Sequence, residues 1–319
     1  MLRYLRNRCL SAICTLFLLS VFIFAIIHLT PGDPARIMLG ADASQEEVDS
    51  LTESLGLNDP LIKQYVDWVG KALHGNLGTS YSRNGTVVSE IVNSMEPTVT
   101  LAVWAQILTI VLAIPLGVFA AKKKGKTADS SVIAFSLLGI SVPSFLLSML
   151  LAILFGVKLQ WLPVAGYKTM ADAGLLEHLR YIVLPTISLA MMQAAMLTRM
   201  TRASMIDVIN NDFIKAAKAK GVSQKNILYK HALKNALIPI LTTIGQTFAT
   251  LLSGAAVVET VFNIPGIGQL IVNSVSKRDY PMIQGIVLVI SLIYIVINLI
   301  IDVLYGMVDP RIRITGKSK

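Results

Sequence analysis

The sequence predicts an all-α, polytopic membrane protein with six transmembrane helices and a helical external segment between the first two. Three observations lead there. Of 319 residues, 54% are hydrophobic and only 15% charged, with a mean hydropathy of +0.65, whereas about a quarter of an ordinary soluble domain is charged. Six long apolar runs carry no charge at mid-span, where Lys, Arg or Asp costs ~2.5–3.5 kcal/mol and ~20 residues suffice to cross the ~30 Å hydrocarbon core. The basic residues, finally, gather in alternate connections.

The first span, Cys9 to Leu29, follows Arg3, Arg6 and Arg8. A basic start before an apolar run also suits a secretory signal, but the length of the run and the lack of an Ala-x-Ala site favour a retained span. The other five lie near Val99 to Ala121, Val132 to Val157, Ile182 to Leu197, Leu237 to Val258 and Met282 to Met307. Pro185 and Gln193 interrupt the fourth, which reads as a helix buried among others rather than one facing lipid.

Residues 30–97 have a helical grammar of their own. Ser44 and Glu47 make a capping box, Val48, Leu51 and Leu55 form an apolar stripe, and Gly56 is a stop. Asp59-Pro60 supplies a cap and a first-turn proline to a second helix, whose apolar face is Leu61, Tyr65, Trp68 and Leu73 and which ends at Gly75. Both stripes are expected to pack on the membrane body.

Loop charge orients the chain, because Lys and Arg in short loops stay on the cytoplasmic side. Lys122, Lys123, Lys124 and Lys126 follow span two; Arg199 to Lys234 after span four and Arg311 to Lys319 at the end are also basic. Residues 30–97 hold four basic and ten acidic residues, a net −6. Both termini are therefore placed in the cytoplasm of a bacterial or archaeal cell, and the overall +9 charge reads as orientation in the membrane, with no nucleic-acid partner. The chain divides into residues 1–29 (N-terminus and first span), 30–97 (external segment), 98–310 (membrane core, with a cytoplasmic loop at 199–236) and 311–319 (tail).

Chemistry is scarce. No His-Glu-x-x-His or Gly-x-Ser-x-Gly occurs; the four histidines are scattered, and Cys9 and Cys14 have neither redox nor zinc spacing. No catalytic residue, metal site or bound cofactor is expected. Gly125-Lys126-Thr127 matches the end of a phosphate-binding loop, but Ala120 stands where the leading glycine belongs and a membrane helix precedes it in place of a strand. Energy for transport, if transport needs it, must then come from another polypeptide.

The cytoplasmic loop is the most informative segment. Asp212 to Gly221 reads as a short basic helix ending at a glycine, and a second helix runs on to Pro239. A solvated loop would account for Lys215, Lys218 and Lys220. It would not account for Ala216 and Ala217 followed by a lone Gly221, a pattern that lets a helix approach another surface closely and then reverse. The arrangement Lys215-Ala216-Ala217-x3-Gly221, closing on Leu237-Ile238-Pro239, resembles the EAA loop of ABC importer permeases, with Lys215 in place of the namesake glutamate.

The resemblance extends to the dipeptide, oligopeptide and nickel permease family through Leu29-Thr30-Pro31-Gly32-Asp33-Pro34, Leu77-Gly78-Thr79-Ser80, Thr201-Arg202-Ala203-Ser204-Met205, Pro265-Gly266-Ile267-Gly268, Arg278-Asp279-Tyr280-Pro281 and Asp309-Pro310-Arg311. It implies a homologous second permease subunit, two ABC ATPases that use ATP and Mg, an external solute-binding protein, and Lys215, Ala216, Ala217, Gly221 and Pro239 as the coupling contact. Peptides are the implied cargo, with nickel, metal chelates or glutathione as alternatives; a stand-alone channel or carrier lacks support from inverted repeats or charged relays. Polar or adaptable residues within spans, Gln193, Gln246, Glu259 and Met192, are candidates for the substrate path, the alternative being bonds to neighbouring helices or simple packing.

Overall fold

The computed structural model describes residues 2–29, 34–40, 43–54, 56–83 and 85–308. In chain order the helices are α1 (Leu2–Leu29), α2 (Pro34–Leu39), α3 (Gln45–Ser54), α4 (Leu61–Leu73), α5 (Val87–Lys122), α6 (Thr127–Ser141), α7 (Ser144–Leu151), α8 (Met170–Ile209), α9 (Asp212–Ala219), α10 (Gln224–Asn226), α11 (Leu233–Val261), α12 (Ile267–Ser276) and α13 (Tyr280–Val308). π-helical turns at Ala152–Lys158 and Ile227–Ala232 extend α7 and join α10 to α11. Among the described residues the only extended pairing is an isolated bridge between Thr79 and Thr86.

Four stretches are long and apolar enough to cross a membrane: α5, α8, the Gln224–Val261 rod that contains α10 and α11, and Tyr280–Ile301 of α13. The pair α6 and α7, bent by 94° where they meet, makes a fifth if counted as one span, and α1 contains a shorter apolar stretch, Leu10–Ile26. All-α membrane architecture is thus clear, with several boundaries differing from expectation. The third run is not one straight helix. Pro143 disfavours helical backbone at the residue before it, and Val142 is extended (ψ 115°). Pro239 does not close the second cytoplasmic helix but sits inside α11, as Pro97 and Pro115 sit inside α5 and Pro185 inside α8. Membrane helices accept interior prolines where neighbouring helices and hydroxyls satisfy the freed backbone groups. α5 also starts at Val87, well within residues 30–97.

Local signals in that segment fare well. Ser44 Oγ donates to Glu47 Oε2 at 2.8 Å, and the Ser44 N–H reaches the same oxygen at 2.9 Å. These donors, backbone first, hold the Glu47 carboxyl below its ordinary pKa. Gly56 and Gly75 take positive φ (68° and 78°) at the two stops. The cap of α4 is corrected by one residue: Pro60 is the N-cap, and Asp59 pairs with Lys63 at 2.9 Å. Tyr65 and Trp68 pack beside Phe24 of α1, but Leu61 and Leu73, expected to pack as well, are exposed. Leu55, Thr30 to Asp33, Asp309 to Arg313 and the side chains of Cys9 and Asp302 lie outside the described residues.

The chain forms two compact units, Met1–Glu96 with Gly266–Ile295, and Pro97–Pro265 with Val296–Lys319. The first has a core of Val87, Ile91, Ile267, Leu270, Met282 and Ile286. Within it the buried Asp279, just before α13, accepts hydrogen bonds from Ser80 Oγ (2.5 Å), Ser82 Oγ (2.9 Å) and the backbone N–H groups of Tyr81 (3.1 Å), Ser82 (3.0 Å) and Met282 (3.3 Å). Burial, and secondarily the Asp279 charge, push the nearby Tyr81 phenol up to about 12. The second unit has two apolar clusters, one around Leu101, Ile182, Leu251 and Phe262, the other around Leu197, Met205, Ile214 and Ile240.

Candidate coupling surface and translocation path

α9 is built as an anchored knob. Asp212 stands in the first turn and Lys218 in the last, each the sign that complements the helix dipole. Ile214, fully buried, pins the helix to the cluster that also holds Met205, Ile227 and Leu228. Two bonds finish it: Val222 N–H to Ala217 O at 3.2 Å and Gly221 N–H to Lys218 O at 3.0 Å. That pair is the Schellman closure, which needs a left-handed residue at the position of Gly221, where φ is 77°. Ser223 Oγ then accepts the Asn226 N–H at the start of α10.

With Ile214 pointing inward, helical spacing turns Phe213, Lys215, Ala216, Ala219 and Lys220 outward, and all five are exposed. Lys215 Nζ lies 2.8 Å from Asp212 Oδ1, an exposed pair one turn apart. Ala217 is half-buried on the flank near Ile214. Outward small residues are thus Ala216 and Ala219, with Phe213 beside them. Neither Phe213 nor Ala219 stands out in the sequence, although counting from an inward Ile214 finds both.

An ion pair supports the approach to this knob. Arg202 of α8 donates to Asp129 of α6 through Nε (2.6 Å) and Nη2 (2.8 Å), with the two side chains 24% and 4% exposed. The Gly125 N–H, from the sequence that imitates a phosphate loop, donates to Asp129 Oδ2 at 3.0 Å. That backbone donor therefore serves a carboxylate of its own chain at the start of a helix. Gly117 lets α5 approach α8 closely: a Cβ there would fall 2.6 Å from Thr201 Cβ.

The four path candidates occupy different environments. Glu259 is fully buried and accepts from Thr98 Oγ1 at 2.6 Å; Gln193 is buried, Met192 half-buried and Gln246 exposed. Among the described residues no hydrogen bond joins any two of them. A polar contact that no sequence pattern announces lies between Thr247 Oγ1 and Gln106 Oε1 (3.1 Å), which leaves Gln106 Nε2 buried and unpartnered among the described residues. A cavity of about 400 Å³ between α5, α6 and α8 is lined by Leu112, Leu116, Val132, Phe135, Met191 and Ala194 among others. Its lining is mostly apolar and includes none of the four.

Comparison with known proteins decides the family. The profile of the binding-protein-dependent transport system inner membrane component matches residues 113–314, and that of the N-terminal part of the same membrane component matches residues 1–102. The chain belongs to this permease family. It is 40% identical to the probable peptide ABC transporter permease protein y4tP of Sinorhizobium fredii over 97% of its own length and 99% of that protein. It is also 40% identical to the glutathione transport system permease protein GsiC of Escherichia coli K12, over 98% of this chain and 99% of the other. In fold it resembles the inward-facing MetNI methionine ABC transporter, at a TM-score of 0.56 and 19% identity over 69% of this chain and 96% of that one. The permease is accordingly a component of a binding-protein-dependent ABC importer, and a multi-pass protein of the inner membrane.

Proposed function

We propose that this permease forms half of the translocation path of an importer of short peptides and that α9 is its contact with a separate ATPase. The anchored, glycine-closed α9 with Ala216 and Ala219 outward carries the reading: small side chains admit close approach, while Ile214 and the unbroken Gln224–Val261 rod tie the contact to the membrane core. A second permease subunit, a pair of ATPases using ATP and Mg, and an external binding protein complete the machine. α1, α5, the bent α6 and α7 pair, α8, the α10–α11 rod and α13 serve as six spans, with both termini in the cytoplasm.

ATP-driven closure of the ATPases would move the two permeases between inward- and outward-facing states, each state stabilised by different interface contacts. The peptide assignment draws on the functions for which the relatives are named, and glutathione, itself a γ-linked tripeptide, falls in the same chemical class. Gln193, Gln246, Glu259 and Met192 remain path candidates; Glu259, hydrogen-bonded to Thr98, suits a structural part at the helix interface better than a direct one.

The test is Gly221→Val in the assembled complex. Nothing lies within 4 Å of a Cβ at this position, so the change strains the left-handed turn without a clash. Uptake and substrate-stimulated ATP hydrolysis should be lost with membrane insertion intact; normal uptake would overturn the coupling assignment. Cargo is tested by the loaded binding protein that stimulates the ATPase, across peptides, glutathione and nickel chelates. Stimulation by a nickel chelate alone would reject peptides.

A further inference from the structure

The charge count places residues 61–73 outside the membrane, yet α4 does not have the surface of a helix surrounded by water. One face is used within its own unit. Tyr65 Oη lies 2.8 Å from Ser20 Oγ of α1, and Gln64 Oε1 lies 3.1 Å from His28 Nε2. The Phe24 ring is 5.3 Å from Tyr65 and 6.1 Å from Trp68, centroid to centroid. The face beside it is apolar and uncovered: Ile62 is 80% exposed, Val66 60% and Leu73 82%. Lys63, Asp67 and Lys71 form a third side, about 120° around the helix from that face by helical spacing.

The contacts with α1 fix a depth. Ser20 and His28 are eight residues apart, or ~12 Å along a helix at ~1.5 Å per residue. If α1 is a span with its outer end near Leu29, those contacts, made by the adjacent Gln64 and Tyr65, centre on Phe24, ~7.5 Å below that end and so within a hydrocarbon leaflet ~15 Å deep. Water would be a poor neighbour there for anything but the Lys63, Asp67 and Lys71 side. α1 itself exposes Phe17, Leu18 and Phe22 at comparable or greater depth, apolar surface of the same kind as the uncovered face of α4.

We propose that α4 is an interfacial helix seated in the outer leaflet, with Ile62, Val66 and Leu73 among acyl chains and Lys71 reaching up to lipid phosphates beside the Lys63–Asp59 pair. The partner is the bilayer itself. Two features suit that seat: Tyr65 and Trp68 are amphipathic rings of the kind enriched at membrane interfaces, and lysine stems can lie along apolar surface while their ammonium groups reach the headgroups. The segment between spans one and two is then tethered at the surface through α4.

The inference rests on α1 being a span, and the experiment separates the two. Single spin labels are placed at Ile62, Val66, Leu73, Lys63 and Lys71, and at Phe17 and Phe22 as span controls. The chain is full length with Cys9 and Cys14 changed to Ser, in the assembled complex, in liposomes of phosphatidylethanolamine and phosphatidylglycerol. Collision with oxygen, which partitions into lipid, is compared with collision with a water-soluble nickel chelate. The oxygen-to-nickel ratio should be severalfold higher at Ile62, Val66 and Leu73 than at Lys63 and Lys71, and equally high at Phe17 and Phe22. A high nickel signal at Ile62, Val66 and Leu73 means water, and exclusion of both reagents means a covering protein; either overturns the proposal while leaving the span intact. A high nickel signal at Phe17 and Phe22 removes the span and the proposal together. Should a labelled chain fail to assemble, benzoylphenylalanine at Ile62 separates the same outcomes: lipid-sized adducts support the outer-leaflet seat, protein adducts reject it.

Discussion

Among the described residues each unit of this permease buries one aspartate, and the two are satisfied in opposite ways. Asp279 in the first is held by neutral donors alone, two serine hydroxyls and three backbone N–H groups. Asp129 in the second is held by the forked guanidinium of Arg202, helped by one N–H from Gly125. The contrast teaches what each region resists. A cluster of neutral donors fastens the residue 80–82 loop to the start of α13 and asks mainly for an acceptor in the right place. A bidentate ion pair ties α6 to the last turns of α8 before the knob, and loses its balance when one charge goes.

Removing Arg202 should therefore have the largest effect. Arg202→Ala leaves a carboxylate 4% exposed without its counter-charge, a cost of about 3 kcal/mol, read as a lower thermal midpoint of the purified complex together with reduced uptake. Adding Asp129→Asn to that variant should restore much of the loss. Equal stability of the single variant and the parent would show the pair to be dispensable. Asp279→Asn should cost less, about 2 kcal/mol, because one acceptor oxygen remains while the new amide N–H₂ meets donors. A larger loss there than at Arg202 would reverse the ordering by charge.

Tyr81 sharpens the same comparison by pH. Its phenol is raised from 10.0 to about 12 in the folded chain, so the associated stability is complete below about 10 and is lost as pH climbs through about 12. Thermal midpoints taken across that window should fall further for the parent than for Tyr81→Phe; superimposable curves would remove Tyr81 as the cause. The smallest effect belongs to Glu47. Its lowered pKa means the capping contribution is present above the unfolded value of 4.5 and disappears as pH drops through the folded one. Amide exchange at the start of α3 should quicken in acid in the parent, whereas Glu47→Gln should show no such acid step.

What the sequence reveals divides along chain distance. The Ser44–Glu47 box and the glycine closure at Gly221 are set by residues within one or two turns, and both are readable. Asp129–Arg202 and Asp279–Ser80 join residues 73 and 199 positions apart, where no local pattern pairs them. Prolines mislead for a related reason. Pro143 breaks its helix and Pro239 does not, and the residue type alone does not tell the two apart. The knob can be located from Ala216, Ala217 and Gly221, but the inward Ile214 is needed to show that Phe213 and Ala219 share its outer face.

The Gln224–Val261 helix has one more consequence. At 38 residues it is about 57 Å long, and its π turn and interior proline leave the helix unbroken by any loop. A rod of that length is a lever. Tilting it by about 5° about its Gln224 end would carry the Val261 end sideways by about 5 Å, roughly the width of a peptide backbone, so a small rotation at one end becomes a large displacement at the other.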